Sequence, residues 1–156
     1  MSQFATGITV LTARGEKAHG MTANAFTSVS IDPPLVLCCV GRTARIHDAI
    51  IDAGHFGVSV LSAEQEGVAR YFAGRGRPAG MAQFERVDWF PGRHTGAPLL
   101  VGSLAWLECD LRQTYEGGDH SIFLGTVLSA SRGGGQPLLF LGGGFHHHGV
   151  PAARSA

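Results

Sequence analysis

"HGMTANAFTSVSIDPPLVLCCV", His19 to Val40, changes character halfway along. Thr22, Asn24, Thr27, Ser28 and Ser30 crowd its first part, and from Leu35 to Val40 every residue is apolar. Pro33 and Pro34 forbid a helix at the join, because each fixes φ and removes a backbone donor. Leu35 to Val40 is too short for a helix and rich in Val and Leu, so it reads as a buried strand. If the polar half lined a pocket, its small side chains would let a planar ligand approach the backbone. Asn24, Thr22 and Ser28 would then offer donors and acceptors to the edge of a heterocycle. The same residues equally suit a Ser/Thr-rich edge strand facing water. Composition leaves both readings open.

Working outward, Ile8 to Ala13 reads as a strand that ends in the turn cluster "RGEK", with a partner strand coming up through Ala18 to Ala25. "TARIHDAIIDAG" places Ile46, Ile50 and Ala53 on one helical face with Gly54 as its stop. Phe56 to Leu61 reads as a strand, and "SAEQEGVARYF" opens a second helix, to about Phe72, through a capping box of Ser62 and Gln65. "AGRGRPAG", Ala73 to Gly80, reads as a mobile basic loop carrying Arg75 and Arg77. Further strands are expected around Val87, over Ser103 to Tyr115, over His120 to Ala130 with Ile122, Leu124, Thr126 and Leu128 on one face, and over Pro137 to Leu141. The glycine triplets Gly133 to Gly135 and Gly142 to Gly144 read as turns. Two helices thus interrupt a mainly β chain, and strands linked mainly by turns favour an antiparallel barrel over a parallel sheet.

Length and charge limit what this barrel can do. A chain of 156 residues fits one domain, residues 1–156, with a single core. Twelve Lys and Arg balance twelve Asp and Glu, which leaves no basic field for nucleic acid or an anionic membrane. The start "MSQFATGITV" has no signal-peptide pattern and no apolar run approaches a membrane span, so a cytoplasmic protein is expected. Cys38, Cys39 and Cys109 lack zinc spacing and read as buried free thiols. His146, His147 and His148 are consecutive and cannot converge on one ion from a regular element, so no metal is expected.

Two further stretches carry chemistry. In "VGRTAR", Gly41 permits unusual backbone angles, Thr43 offers a hydroxyl, and Arg42 and Arg45 stand where a helix starts, which makes a workable phosphate site or a pair of solvated cations. "EGGDHSIFLGTV" puts His120 directly after a Gly-Gly-Asp turn at a strand mouth, where it serves a ligand or simply faces water.

The order of "FATGITVLTA", "HGMTANAFTSVSIDPPLVLCCV", "FGVSVLSAEQ", "GAPLL", "GGDHSIFLGTV" and "PLLFLGGGF" resembles the flavin reductase family that supplies reduced flavin to two-component monooxygenases. The T-A-N-x-F-x-S-V-S-x-x-P-P block and the G-D-H strand start are its most specific pieces, and the likeness covers nearly the whole chain. It implies an FMN-binding split barrel, a Greek-key antiparallel barrel with two short flanking helices. It further implies a homodimer with the flavin at the barrel edge near the subunit interface.

By the same resemblance, Thr22, Ala23, Asn24 and Ser28, with Ala25 beside them, border the isoalloxazine and ribityl chain of FMN or FAD. Val40, Gly41, Arg42 and Thr43 pass the ribityl and phosphate, with Arg42 neutralising phosphate charge. His120 faces nicotinamide and flavin, and Phe145 packs near the nicotinamide. The chain departs from the pattern in two places: only Met1 to Gln3 precede "F-x-T-G" where a longer helix is usual, and His146 follows Phe145 where Arg or Tyr is common.

The implied activity is NAD(P)H:flavin oxidoreduction, with NADH or NADPH as hydride donor and a flavin-dependent monooxygenase as recipient. Hydride transfer needs the donor carbon about 3 to 3.5 Å from the acceptor with the rings stacked, so the protein's task is chiefly orientation. Two other readings compete. One is a split-barrel oxidase of the pyridoxamine phosphate type, for which no paired basic stretches are seen. The other is a flavin-binding module that never admits a nicotinamide.

Overall fold

The computed structural model describes residues 2–147. In chain order its elements are β1 (Thr6–Gly7), β2 (Thr9–Ala13), β3 (His19–Ala23), β4 (Phe26–Ser30), β5 (Leu35–Gly41), α1 (Arg45–Ala53) and β6 (His55–Val60). A 3-10 turn (Ala63–Gln65) leads into α2 (Glu66–Ala73), and a second (Gly80–Phe84) precedes β7 (Trp89–Pro91) and β8 (Pro98–Leu100). Then come β9 (Ala105–Gly117), β10 (His120–Arg132), β11 (Leu139–Leu141) and β12 (Gly144–His146).

Seven strands form one antiparallel sheet in the order β3-β2-β6-β9-β10-β5-β4. Its two edges, β3 and β4, are neighbours in the chain, joined only by Asn24 and Ala25. Helix α1 touches β2, β3, β5 and β6, so the sheet curls around it into a barrel that stays split between β3 and β4. The structure is the mainly β split barrel that the sequence implies. No described helix is long and apolar enough to cross a membrane.

Two apolar clusters hold this shape. Inside the barrel, Ile46, Ala49 and Ile50 of α1 meet Leu11, Val36, Cys38, Val40, Phe56, Val58 and Phe123. Outside it, Phe72 of α2 and Phe84 pack with Val10, Leu61, Leu100 and Leu138. Strand β2 is buried along its whole length because its alternate residues serve both clusters. The expected helix stops and starts are present: Gly54 closes α1 with φ 70 and its N–H on Ile50 O at 2.9 Å. Ser62 and Gln65 form the capping box, with the Ser62 N–H 3.0 Å from Gln65 Oε1.

Several expectations are corrected. The strand expected around Val87 is Trp89–Pro91, with Val87 in the preceding turn. The partner of β2 ends at Ala23, leaving Asn24 and Ala25 as the link to an edge strand of their own. In β10 the core face is Ser121, Phe123 and Gly125; Ile122, Leu124 and Thr126 are half-buried and Leu128 is exposed on the outer face. Cys39 shares that outer face and is half-buried, whereas Cys38 and Cys109 are buried, and all three thiols are free. Burial pushes the Cys109 thiol up to about 12.

Glu108, a carboxylate only 3% exposed on β9, has no local pattern that marks it. It accepts from the backbone N–H of Arg93 (3.0 Å), His94 (2.9 Å) and Thr95 (2.8 Å), and from the hydroxyls of Thr95 (2.8 Å) and Ser129 (3.0 Å). Any side chain at Gly92 would overlap this carboxylate. Burial alone would raise the Glu108 carboxyl, but the hydrogen bonds from Thr95, His94 and Ser129 outweigh it and hold the pKa below the ordinary value.

Glu108→Gln replaces an acceptor of five bonds by a group that is half donor, and about 2 to 4 kcal/mol of stability should be lost at neutral pH. Because the folded pKa is depressed, the wild-type contribution is present above the unfolded value of about 4.3 and disappears as pH falls through the folded one. Thermal melts from pH 7 downward should therefore fall more steeply for wild type than for the variant in that acid range; parallel curves would contradict the assignment.

Candidate active site

The split between β3 and β4 is partly sealed. On the free edge of β3, the Gly20 N–H donates to Gln83 Oε1 at 2.9 Å and Arg77 Nη2 donates to Gly20 O at 2.8 Å. Two side chains thus stand in for a missing strand. Thr22 has the same register two residues on, so its N–H and C=O also point across the split. Its hydroxyl is committed elsewhere, donating to Ala69 O of α2 at 2.7 Å. Ala23 is buried, Asn24, Ala25 and Ser28 are exposed, and the Cys39 N–H donates to Ala25 O at 3.0 Å. Thr22 to Ala25 and Ser28 therefore lie along one seam at the two edges of the sheet, and the walls of the neighbouring cleft are built by other residues.

The segment after β5 adjoins it. Val40 is buried, while Gly41 pairs with His120 across the sheet and is followed by exposed Arg42 and Thr43. The Arg42 N–H donates to Asp119 O at 3.0 Å, and its guanidinium lies 3.8 Å from Glu116 in an exposed pair. Thr43 and Arg45, with His19, Met21, Arg75 and Arg77, surround a cleft of about 430 Å³ that has no acidic side chain in its wall. Ala44, the N-cap of α1, supplies no side-chain acceptor; the His47 N–H turns back to Ala44 O at 2.9 Å, which leaves the N–H groups of Arg45 and Ile46 as the ones open to an anion.

The cleft's charge comes from arginine. Burial, then the Arg77 and Arg45 guanidiniums, pull the His19 pKa down to about 4, so His19 is neutral at pH 7. The basic loop is not the mobile segment its composition suggests: Arg77 donates to Tyr71 O at 3.0 Å, to Gly74 O and to Gly20 O at 2.8 Å. Its guanidinium also lies 5.4 Å from the Phe72 ring centroid. Sequence reading missed His19 as a wall residue and Arg77 as an anchor, because neither role has a local pattern.

His120 stands on the outer face of β10, exposed, with Nδ1 2.8 Å from Asp119 Oδ1. A carboxylate only accepts, so Nδ1 carries the proton and Nε2 is left to face a ligand. The Asp119 carboxyl lies below its usual range because of this contact with His120. The ring passes beside Gly41, where a Cβ would stand 3.8 Å from Nε2.

Phe145 belongs to the small sheet β1-β11-β12, packed edge-on to Phe140 at 5.4 Å, with the Arg70 guanidinium 4.8 Å from its ring centroid. That sheet continues from the start of β2, where Thr9 pairs with Ala23, so it borders the seam rather than the strand of His120. His146 contacts Leu141 O at 3.1 Å, while His147 contacts Ala63 O at 3.0 Å and Glu66. These partners diverge, His148 lies outside the described residues, and no metal-binding cluster occurs among the described residues.

Comparison with known proteins gives the arrangement its relatives. The family model "Flavin reductase like domain" matches residues 1–149. An NADH-dependent FAD reductase of Streptomyces globisporus is 52% identical over 143 residues, covering 91% of this chain and 79% of that protein. The reductase component of 4-hydroxyphenylacetate 3-monooxygenase from Thermus thermophilus is 42% identical, covering 93% of this chain and 90% of its own length. Among solved structures, BorF, the flavin reductase component of a bacterial two-component tryptophan halogenase, superposes with a TM-score of 0.89 at 51% identity, covering 93% of this chain and 91% of the other. The S. globisporus NADH:FAD oxidoreductase SgcE6, in complex with NAD and FAD fragments, gives a TM-score of 0.89 at 48% identity over 97% of this chain and 90% of that one. With its barrel, seam and G-D-H strand start accounted for, this chain belongs to the flavin reductase family.

Proposed function

We propose that the protein is a cytoplasmic NAD(P)H:flavin oxidoreductase that reduces FMN or FAD at the split of its barrel and hands the reduced flavin to a flavin-dependent monooxygenase. The observation that carries this reading is that an open seam, a cationic cleft and His120 are all reached from the short segment Val40 to Arg45. Names of relatives agree in class, being NADH-dependent FAD and FMN reductases. Three free thiols suit a reducing compartment.

The residues present fit a flavin nucleotide. Ala23, Ala25 and Ser28 are small enough to let a planar ring approach the backbone, and the outward N–H and C=O of Thr22 match a heterocycle edge that both donates and accepts. Thr43, Arg45 and Arg75 suit a phosphate, whereas Arg42 does not line the cleft and is paired with Glu116. When bound, the flavin accepts the hydride and the nicotinamide supplies it. The chain's own part is to hold the two rings together: His120 Nε2 contacts the nicotinamide side and Phe145 supplies an apolar border near it. No nucleophile is needed.

The same reading includes a homodimer. On the outer face, Leu37 lies opposite Leu124, and Cys39 opposite Ile122, which in turn faces Tyr115. Ile31, in the β4–β5 turn, is 95% exposed. His120 shares this face, so a two-fold partner that covers it would border the hydride-transfer site.

Purified protein with NADH and added FMN or FAD should oxidise the nicotinamide in a flavin-dependent way, and His120→Ala should lower kcat/KM for NADH by about 1 to 3 kcal/mol of interaction while flavin binding barely changes. A folded His120→Ala variant with wild-type NADH kinetics would remove His120 from the site, and no turnover by the wild type would favour the binding module. Arg45→Ala should weaken FMN binding by fluorescence titration and leave riboflavin, which lacks the phosphate, unchanged; an equal loss for both would rule out a phosphate role. Light scattering at micromolar concentration should give a dimer mass, and a fully active monomer would refute the assembly.

A further inference from the structure

One polar contact inside the barrel has no part in the seam or the cleft. His47, in the first turn of α1, is 9% exposed, and its Nε2 lies 2.8 Å from Oγ of Ser121, itself 6% exposed. The His47 ring packs on Phe123, centroids 5.1 Å apart and planes at 41°. Nδ1 faces Asp48 Oδ1 at 3.3 Å, and because a carboxylate only accepts, Nδ1 carries the proton. Nε2 therefore accepts from the Ser121 hydroxyl.

The two ends of this bond belong to the two halves of the site. His47 follows Thr43 and Arg45, which wall the cleft, on the same helical start. Ser121 is the residue after His120 on β10. The other buried contacts of α1, through Ile46, Ala49 and Ile50, are apolar and non-directional. The backbone ties the chain to β10 just before the helix, through Gly41 opposite His120 and the Arg42 N–H on Asp119 O. The apolar contacts hold the helix body, but neither fixes how the first turn of α1 seats against Ser121. A buried hydrogen bond in a low-dielectric core is directional and costly to leave unmade, so it selects one position.

We infer that His47 is a positioning residue for hydride transfer: through Ser121 it fixes how the first turn of α1, which carries the cleft's Arg45, seats against the strand of His120. The inference rests on the reductase reading above. Each ligand can still bind its own half if the bond is lost, because neither half loses a contacting group. What is lost is the fixed relation between the rings, and a misplacement of about 1 Å can cost roughly a hundredfold in rate.

The test uses the full chain and the variants Ser121→Ala, His47→Phe, the double variant, and His47→Gln, whose amide keeps a hydrogen-bonding atom near the place of Nε2. Flavin affinity by fluorescence, KM for NADH, kcat at saturating flavin and melting temperature are measured for each. The expected pattern is a fall in kcat of about tenfold or more in both single variants, with flavin Kd and NADH KM within about twofold of wild type. The double variant should be no slower than the slower single one, and His47→Gln should recover most of the rate.

A folded Ser121→Ala variant with wild-type kcat would overturn the inference. So would additive losses, or rates that merely track melting temperature across the set. If His47→Phe does not fold, Ser121→Ala, which removes a single oxygen, decides alone. A wild type without flavin-dependent NADH oxidation would overturn the reductase reading and this inference together, an outcome distinct from an active wild type with unchanged variants.

Discussion

Two strands that follow one another in the chain stand at opposite edges of the same sheet. Although the two-residue link Asn24 and Ala25 is long enough for a hairpin, β3 and β4 do not pair, and each leaves a row of backbone groups facing the split. The remaining architecture answers that constraint. Helix α1 fills the barrel with Ile46, Ala49 and Ile50. Gln83 and Arg77 occupy the free edge at Gly20 from the outside. Where that cover ends, at Thr22, the seam is open, and there the chain places its smallest side chains.

Among the buried polar groups, two that join separate elements differ in kind. Glu108 is a charge whose burial is tolerated because five donors converge on it, and its effect is to fix the β7–β8 connection against β9. His47 and Ser121 are joined by a single buried hydrogen bond. The first solves a local problem of backbone N–H groups that a tight loop cannot satisfy by itself. The second joins two elements that the hydrophobic core already holds together, and that redundancy makes a functional reason for it worth testing.

Patterns that are local in the chain were legible before any coordinates. The capping box of Ser62 and Gln65, the stop at Gly54, the buried strand after Pro33 and Pro34, and the order of segments that carries the family likeness all lie within short windows. What stayed hidden depends on partners distant in sequence. Arg77 reads as a solvated loop cation until Gly20, 57 residues away, offers its carbonyl. The alternation in β10 is visible, but which face meets the core is set by α1, so the Ile122 and Leu124 face, apolar as it is, turns out to be the outer one. Cys39 follows the same rule, being separated from buried Cys38 only by the two-residue period of a strand. The residues proposed to touch flavin were reached through the family motif, and residue chemistry alone left them undecided between a pocket and a wet edge.

An open seam also bears on how long a ligand would stay. Asn24, Ala25 and Ser28 are exposed, as are Arg45 and Arg75 beside the cleft, so the charges proposed to hold a phosphate act partly through water and are screened by salt. Only Arg77 is drawn inward: its Nη1 and Nη2 are engaged with Tyr71, Gly74 and Gly20, while its Nε is buried without a partner. It therefore shapes the cleft wall more than it adds free charge. A site meant to retain its cofactor would bury the phosphate among committed donors. Here the most accessible cations are the least constrained, which suits a flavin that enters oxidised, is reduced where it lies, and leaves for another protein.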